Sequence, residues 1–202
     1  EVTQVGNMPR LLPLIAVNEK SYMEIDSATR RSLELTRNLD GERRGSLLHA
    51  VDRTLTAAGG RLLGERLAAP LFDVDAINSR LDLVSWFIAE EGCCERVRGQ
   101  LRVHPDTERA LSRLSMGHGG PRDLAAIANG LKVTSQIAGY ITDVANKGFS
   151  SLAMPQSLPG CLETMLLPLP LVDELAPALR DELPLLARDG GFVREGYDCA
   201  LD

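Results

Sequence analysis

Between Ser46 and Leu71, apolar residues recur in steps of three and four at Leu47, Val51, Leu55, Ala58 and Leu62. Leu48, Leu63 and Leu67 stand beside them, and this period places one continuous stripe on one face of a helix. Ser46 occupies the position of an N-cap and Pro70 closes the segment. The pattern predicts a central helix of about 22 residues, on the order of 30 Å long. Gly59 and Gly60 fall inside it, and each costs roughly 1 kcal/mol relative to alanine in an exposed helix. Close approach of another backbone, or a kink, is the physical reason for such a pair. Packing accounts for the segment, and no chemistry is visible in it.

The remaining pattern is also mostly helical. Tyr22–Ile25 alternates briefly, as a short strand does. Asp26 or Ser27 then caps a short helix, and 40–45 reads as a loop. Asp73 caps a second amphipathic helix to Ile88, whose stripe is Ile77, Leu81, Val84 and Ile88, widened by Trp86 and Phe87. Glu90–Gly92 reads as a turn before a shorter helix over Glu95–Val103, and Asp106 caps the next. Pro121 suits a first helical turn, and its helix is predicted to end near Ala138. Periodicity fails from Tyr140 to Pro159; Cys161–Leu167 and Pro170–Leu179 read as short helices. Asp189-Gly190, between apolar arms at Leu185–Arg194, predicts a small β-hairpin. The fold class expected is therefore all-α, an irregular multi-helix bundle with a small hairpin or short strands near its start and end. Three parts follow: residues 1–20 as a docking segment or the end of a preceding element, 21–195 as the helical body, and 196–202 as the start of another helix.

Composition fits this picture. Of 202 residues, 44% are hydrophobic and only 4% aromatic, so the core is built from Leu, Ala, Val and Ile. No apolar run approaches the ~18 residues that span a bilayer. The chain opens on Glu1 rather than Met and stops inside a helix start, which predicts a segment of a longer protein. The net charge of −6 makes the whole a poor grip for nucleic acid. Cys93, Cys94, Cys161 and Cys199 match no zinc or redox spacing and read as free buried thiols in a reducing cytoplasm. His49, His104 and His118 share no ligand spacing, so no metal site is expected.

A search for chemistry finds little. Gly59, Gly60 and Gly64 have the wrong spacing for a phosphate loop and lack its lysine, and no nucleophile elbow or zinc-helix motif occurs. Asp73/Asp75 and Glu90/Glu91 sit at predicted helix ends, where carboxylates favour the dipole or face water. Arg30-Arg31, Arg43-Arg44 and Arg96/Arg98 are short basic clusters, read as solvated or salt-bridged surface or as phosphate contacts. Asp52, Thr54, Thr56 and Arg61 are the polar residues placed nearest the core, either as a hydrogen-bonded set fixing helix packing or as a strut that transmits motion. Residue chemistry alone describes a mostly helical chain without a catalytic centre.

An ordered set of strings goes further. Tyr22-Met23-Glu24-Ile25-Asp26-Ser27-Ala28-Thr29-Arg30-Arg31-Ser32-Leu33-Glu34-Leu35 is followed by the Ser46–Leu71 block, and then by Asp73, Ile77, Arg80-Leu81-Asp82, Val84 and Phe87. Next come Glu108–Leu114, Pro121-Arg122-Asp123-Leu124, Arg188-Asp189-Gly190-Gly191 and Glu195-Gly196-Tyr197-Asp198 with Leu201-Asp202. In this order the blocks resemble the MutS family of DNA mismatch repair proteins, from Tyr22 to Asp202, with the weakest match over Lys132–Leu183. Departures stand at Arg66, where the family usually has tryptophan, at Thr107 for leucine, and at Ser32 for asparagine.

The resemblance implies the first segment of the helical core, ending where a lever helix starts towards the DNA clamp. It implies a parent that is an ATPase using ATP and Mg, is a homodimer, and binds mismatched duplex DNA and downstream repair proteins. This segment would hold no cofactor itself: the nucleotide loop is absent, and Phe87 to Glu90 has the wrong spacing for the mismatch-inserting Phe-x-Glu motif. Asp52, Thr54, Leu55, Thr56, Gly59, Gly60, Arg61 and Leu62 are the candidates for structural coupling between ATP state and clamp closure. DNA binding by the segment alone is expected to be weak or nil, with no membrane role. An autonomous helical interaction module is the alternative.

Overall fold

The computed structural model describes residues 22–146 and 152–199. Nine α-helices account for most of them: α1 (Ser27–Ser32), α2 (Leu47–Val51), α3 (Ala57–Ala68), α4 (Val74–Ala89), α5 (Glu91–Arg102), α6 (Thr107–Ser115), α7 (Pro121–Asn146), α8 (Ser157–Leu166) and α9 (Leu169–Ala178). Two compact units divide the chain, one holding α1–α5 and the other α6, α7 and α9. The expected docking segment at 1–20 lies outside the described residues, as does the end of the helix expected from Asp198.

Helix starts follow local chemistry. The carboxylates of Asp26, Asp73 and Asp106 and the hydroxyl of Ser46 each accept a backbone N–H from the first turn that follows. The predicted central helix, however, does not form as one piece. It ends at Val51 and restarts at Ala57, leaving α2 packed against α3 across a five-residue joint. The break precedes the glycine pair and coincides with Asp52 and Thr54, whose side chains bond locally in competition with a helical ladder. Once the helix restarts, the phase of its stripe is reset. Leu48 is buried and Leu63 and Leu67 are half-buried, whereas Leu47, Val51 and Leu62 are exposed.

A second correction concerns α4. Trp86 is buried at 1% exposure, with Phe87 edge-on at a ring separation of 5.0 Å. At 100° per residue, Trp86 lies opposite the predicted stripe. Most of that stripe faces outward: Leu81 and Val84 are exposed and Ile88 is 74% exposed, while Ile77 at its start is half-buried. The helix is apolar on both sides, and the bulk of the indole selects the side that packs. The expected turn at Glu90–Gly92 shrinks to Glu90 alone, because α5 begins at Glu91 and packs back on α4.

In the other unit, α7 is the axis, contacting both α6 and α9. It runs eight residues past its predicted end at Ala138; Ile137, Ala138 and Ile141 are all buried. No β-strand forms among the described residues, so the expected hairpin at Leu185–Arg194 is absent. Ala187–Asp189 is instead a 3₁₀ turn, followed by Gly190 and Gly191 at φ +66° and +67°. The returning arm pairs further back, in an isolated bridge of Val193 with Leu179 closed by Arg180 N–H to Phe192 O at 3.0 Å. The strand expected at Tyr22–Ile25 is likewise one bridge, Tyr22 with Leu71.

Candidate functional site

The joint between α2 and α3 gathers most of the residues singled out as coupling candidates. Asp52 ends α2, and its Oδ1 accepts both the backbone N–H of Thr54 at 2.8 Å and the Thr54 hydroxyl at 2.7 Å. Its other oxygen pairs with the Arg43 guanidinium. Thr56 caps α3, accepting the Gly59 N–H on its hydroxyl at 3.0 Å. The glycine pair lies in the first turn of α3, close against these threonines. A Cβ on Gly59 would lie 2.9 Å from Thr56 Oγ1, and one on Gly60 would lie 3.3 Å from Thr54 Oγ1. The close approach comes from the threonines of the joint, not from a second backbone.

Arg61 lines an open cleft beside these residues, together with Arg37, Arg43 and Asp52. Leu55 is half-buried in the joint, while Leu62 is exposed on α3, away from the core role expected of it. Arg43 is the partner that sequence reasoning missed: a nine-residue separation across a loop follows no helical or strand period. Arg98 on α5 also reaches the joint, donating to the Arg53 carbonyl at 3.3 Å.

The Thr54 hydroxyl and N–H, helped by the Arg43 guanidinium, hold the Asp52 carboxyl below its ordinary pKa of 3.8. A carboxyl lowered by folding adds stability that is complete above its unfolded value and is lost as pH falls through its lower folded value. Thermal midpoints taken from about pH 5 to about pH 2.5 are therefore expected to fall more steeply for the wild type than for Asp52→Asn. Asp26 is lowered in the same direction by Thr29 and remains in both proteins, so the difference isolates Asp52. Parallel midpoint curves would refute the assignment. For the cap of α3, Thr56→Ala is expected to cost ~0.5–2 kcal/mol in urea unfolding.

Asp52 is engaged, and no cluster of three metal-ligating side chains exists among the described residues. Burial pushes the Cys93 thiol up and disfavours its thiolate, whereas Cys161 and Cys199 are exposed, contrary to the expectation that all the thiols are buried. No described helix is long and apolar enough to cross a membrane.

Comparison with known proteins matches residues 28–199 to the MutS domain III family. Over 201 residues the chain is 49% identical to the DNA mismatch repair protein MutS of Rhodopseudomonas palustris strain BisB5, covering 99% of the chain and 21% of that protein. It is 50% identical over 200 residues to the MutS of Nitrobacter winogradskyi, covering 99% of the chain and 22% of the relative. The MutS of Bradyrhizobium sp. strain ORS 278 is 48% identical over 202 residues, again with 21% of the relative covered. The chain thus spans about a fifth of the length of the relatives it matches.

Proposed function

This chain belongs to the MutS domain III family, and from that premise we propose that it is a structural and allosteric core segment of a DNA mismatch recognition ATPase. The single observation that carries the proposal is the near-complete match of the chain to one domain of proteins about five times its length. In such a parent, ATP with Mg would bind outside these residues, as would the reading of the mismatch. The contribution of this segment is mechanical. Close-packed helices have few low-energy deformations, so they move as bodies and carry displacement between distant sites.

The joint at Asp52–Thr56 is where the proposed coupling is concentrated. It replaces one stiff rod by two short ones tied through Asp52, Thr54 and Thr56, with Arg43 and Arg98 fastening it from outside. For it to couple distant sites, this polar, bonded joint would take up two discrete arrangements, as a two-state element needs. Effects through it on ATP state and on clamp closure over DNA would be reciprocal in binding terms. The outward apolar stripe of α4 favours a segment completed by the rest of a larger protein over an autonomous module.

The test uses full-length protein. Leu62→Ala removes an exposed side chain beside the joint and is expected to leave folding intact. Together with Thr56→Ala, it is expected to slow mismatch-stimulated nucleotide exchange by about two- to thirtyfold, the span of single-site effects on coupling. Unchanged exchange in a folded double variant would reject the coupling role.

A further inference from the structure

Two open clefts of ≈ 590 and ≈ 570 Å³ adjoin in the unit that holds α1–α5, sharing Thr36 and Arg37 in their walls. Arg30, Arg31 and Arg37 line the first beside Ile25 and Leu39. Arg37, Arg43 and Arg61 line the second beside Leu48. The acids of the described residues in these walls are Asp40 and Asp52, and Asp52 is already bonded to Thr54 and Arg43. In the first cleft, among the described residues, Asp40 is the acid that stands against Arg30, Arg31 and Arg37, on a chain whose total charge is −6.

The loop that carries Arg37 and Arg43 is fixed before any ligand arrives. Asn38 accepts the Glu42 N–H at 2.8 Å and donates to the Arg44 carbonyl at 3.1 Å. Arg37 donates to the Gly41 carbonyl at 2.7 Å, and Gly41 holds φ +84°, a conformation that favours glycine. A fixed loop spares the ordering cost that flexible arginine clusters meet on binding.

We propose that the paired cleft binds a short acidic peptide segment of a partner protein. Its carboxylates would sit on the guanidiniums, and its aliphatic side chains against Ile25, Leu39 and Leu48. Among the described residues the cationic groups in the walls are arginines, whose planar fork matches carboxylates two atoms at a time. Aliphatic residues interleave them, and among the described residues no aromatic ring lines either cleft for base stacking. These features favour peptide over nucleic acid. The inference goes beyond the coupling role and stands or falls separately.

Fluorescence anisotropy on the 202-residue chain tests it, with a labelled peptide of about twelve residues built from glutamate, aspartate and leucine. Saturable, salt-sensitive binding is expected. Arg31→Glu and Arg37→Glu are each expected to weaken it about tenfold or more. The same peptide with glutamine and asparagine in place of its acids is expected not to bind. Arg31 lies on α1, outside the loop, so Arg31→Glu decides the matter should Arg37→Glu disturb the loop. Equal affinity for the neutral peptide, or an Arg31→Glu chain with unchanged circular dichroism and unchanged affinity, overturns the proposal. So does a short single-stranded DNA that displaces the labelled peptide better than unlabelled peptide does, since the cleft then reads phosphates.

Discussion

Trp86→Ala is expected to lower the free energy of unfolding by ~3–5 kcal/mol, the range for truncating a buried tryptophan. Trp86→Phe is expected to cost far less. Trp86 is 1% exposed, and its indole N–H has no hydrogen-bond partner among the described residues. A buried donor without a partner carries a desolvation penalty of ~1–3 kcal/mol, and phenylalanine removes that penalty along with some packing. The two losses oppose each other, so the net effect of Trp86→Phe is expected near ~1 kcal/mol. Urea unfolding followed by far-ultraviolet circular dichroism separates the cases, provided the slope m stays constant. The indole is the chain's single tryptophan, which rules out fluorescence as the probe for these variants. If phenylalanine proves as damaging as alanine, the indole N–H has a partner after all and the face assigned to α4 is wrong.

That helix also shows what was legible in the residues and what was not. Its N-cap at Asp73 and its extent to within a residue of Ala89 follow from local chemistry. Its packed side does not, because a 3.6-residue period reports that an apolar stripe exists and is silent on which of two stripes finds a neighbour. The Leu185–Arg194 segment failed differently. Asp189-Gly190 does reverse the chain, and Val193 does pair antiparallel, but with Leu179 at the end of α9 rather than within a local hairpin. Turn chemistry is local, whereas register is set by tertiary packing.

The candidate site divides along the same line. Asp52, Thr54, Thr56 and Arg61 are legible as a polar set, and the glycine pair separately as a close approach or a kink; that the threonines themselves make the approach is visible only in the structure. Their effect on the backbone is not legible in the sequence, because the same hydroxyls and carboxylate that satisfy one another also end a helix. The Arg43 pairing leaves no mark at all, as its loop could have closed on any nearby acid.

Gly130→Ala is expected to destabilise the α6–α7 unit by ~1–3 kcal/mol, the range for overpacking a filled interior. Gly130 is buried on α7 where the segment leading into α6 crosses it. A Cβ there would stand 2.0 Å from Thr107 Cγ2, with His104 Cε1 and Pro105 Cγ each at 3.4 Å. The crossing has little room to yield. His104 Nδ1–H donates to the Pro105 carbonyl at 2.7 Å, and its Nε2 takes the Thr134 hydroxyl at 3.2 Å, tying the segment to the next turn of α7. The methyl of Thr107 is therefore the group that must leave. Thr107→Ser removes Cγ2, keeps the hydroxyl, and by itself costs little. Combined with Gly130→Ala, it is expected to restore more than half of the lost stability, giving a coupling energy of ~0.5–2 kcal/mol in a double-mutant cycle. Additive losses in that cycle would mean that the alanine is resisted by the backbone, and that α7 and the crossing segment are not held apart by this one contact.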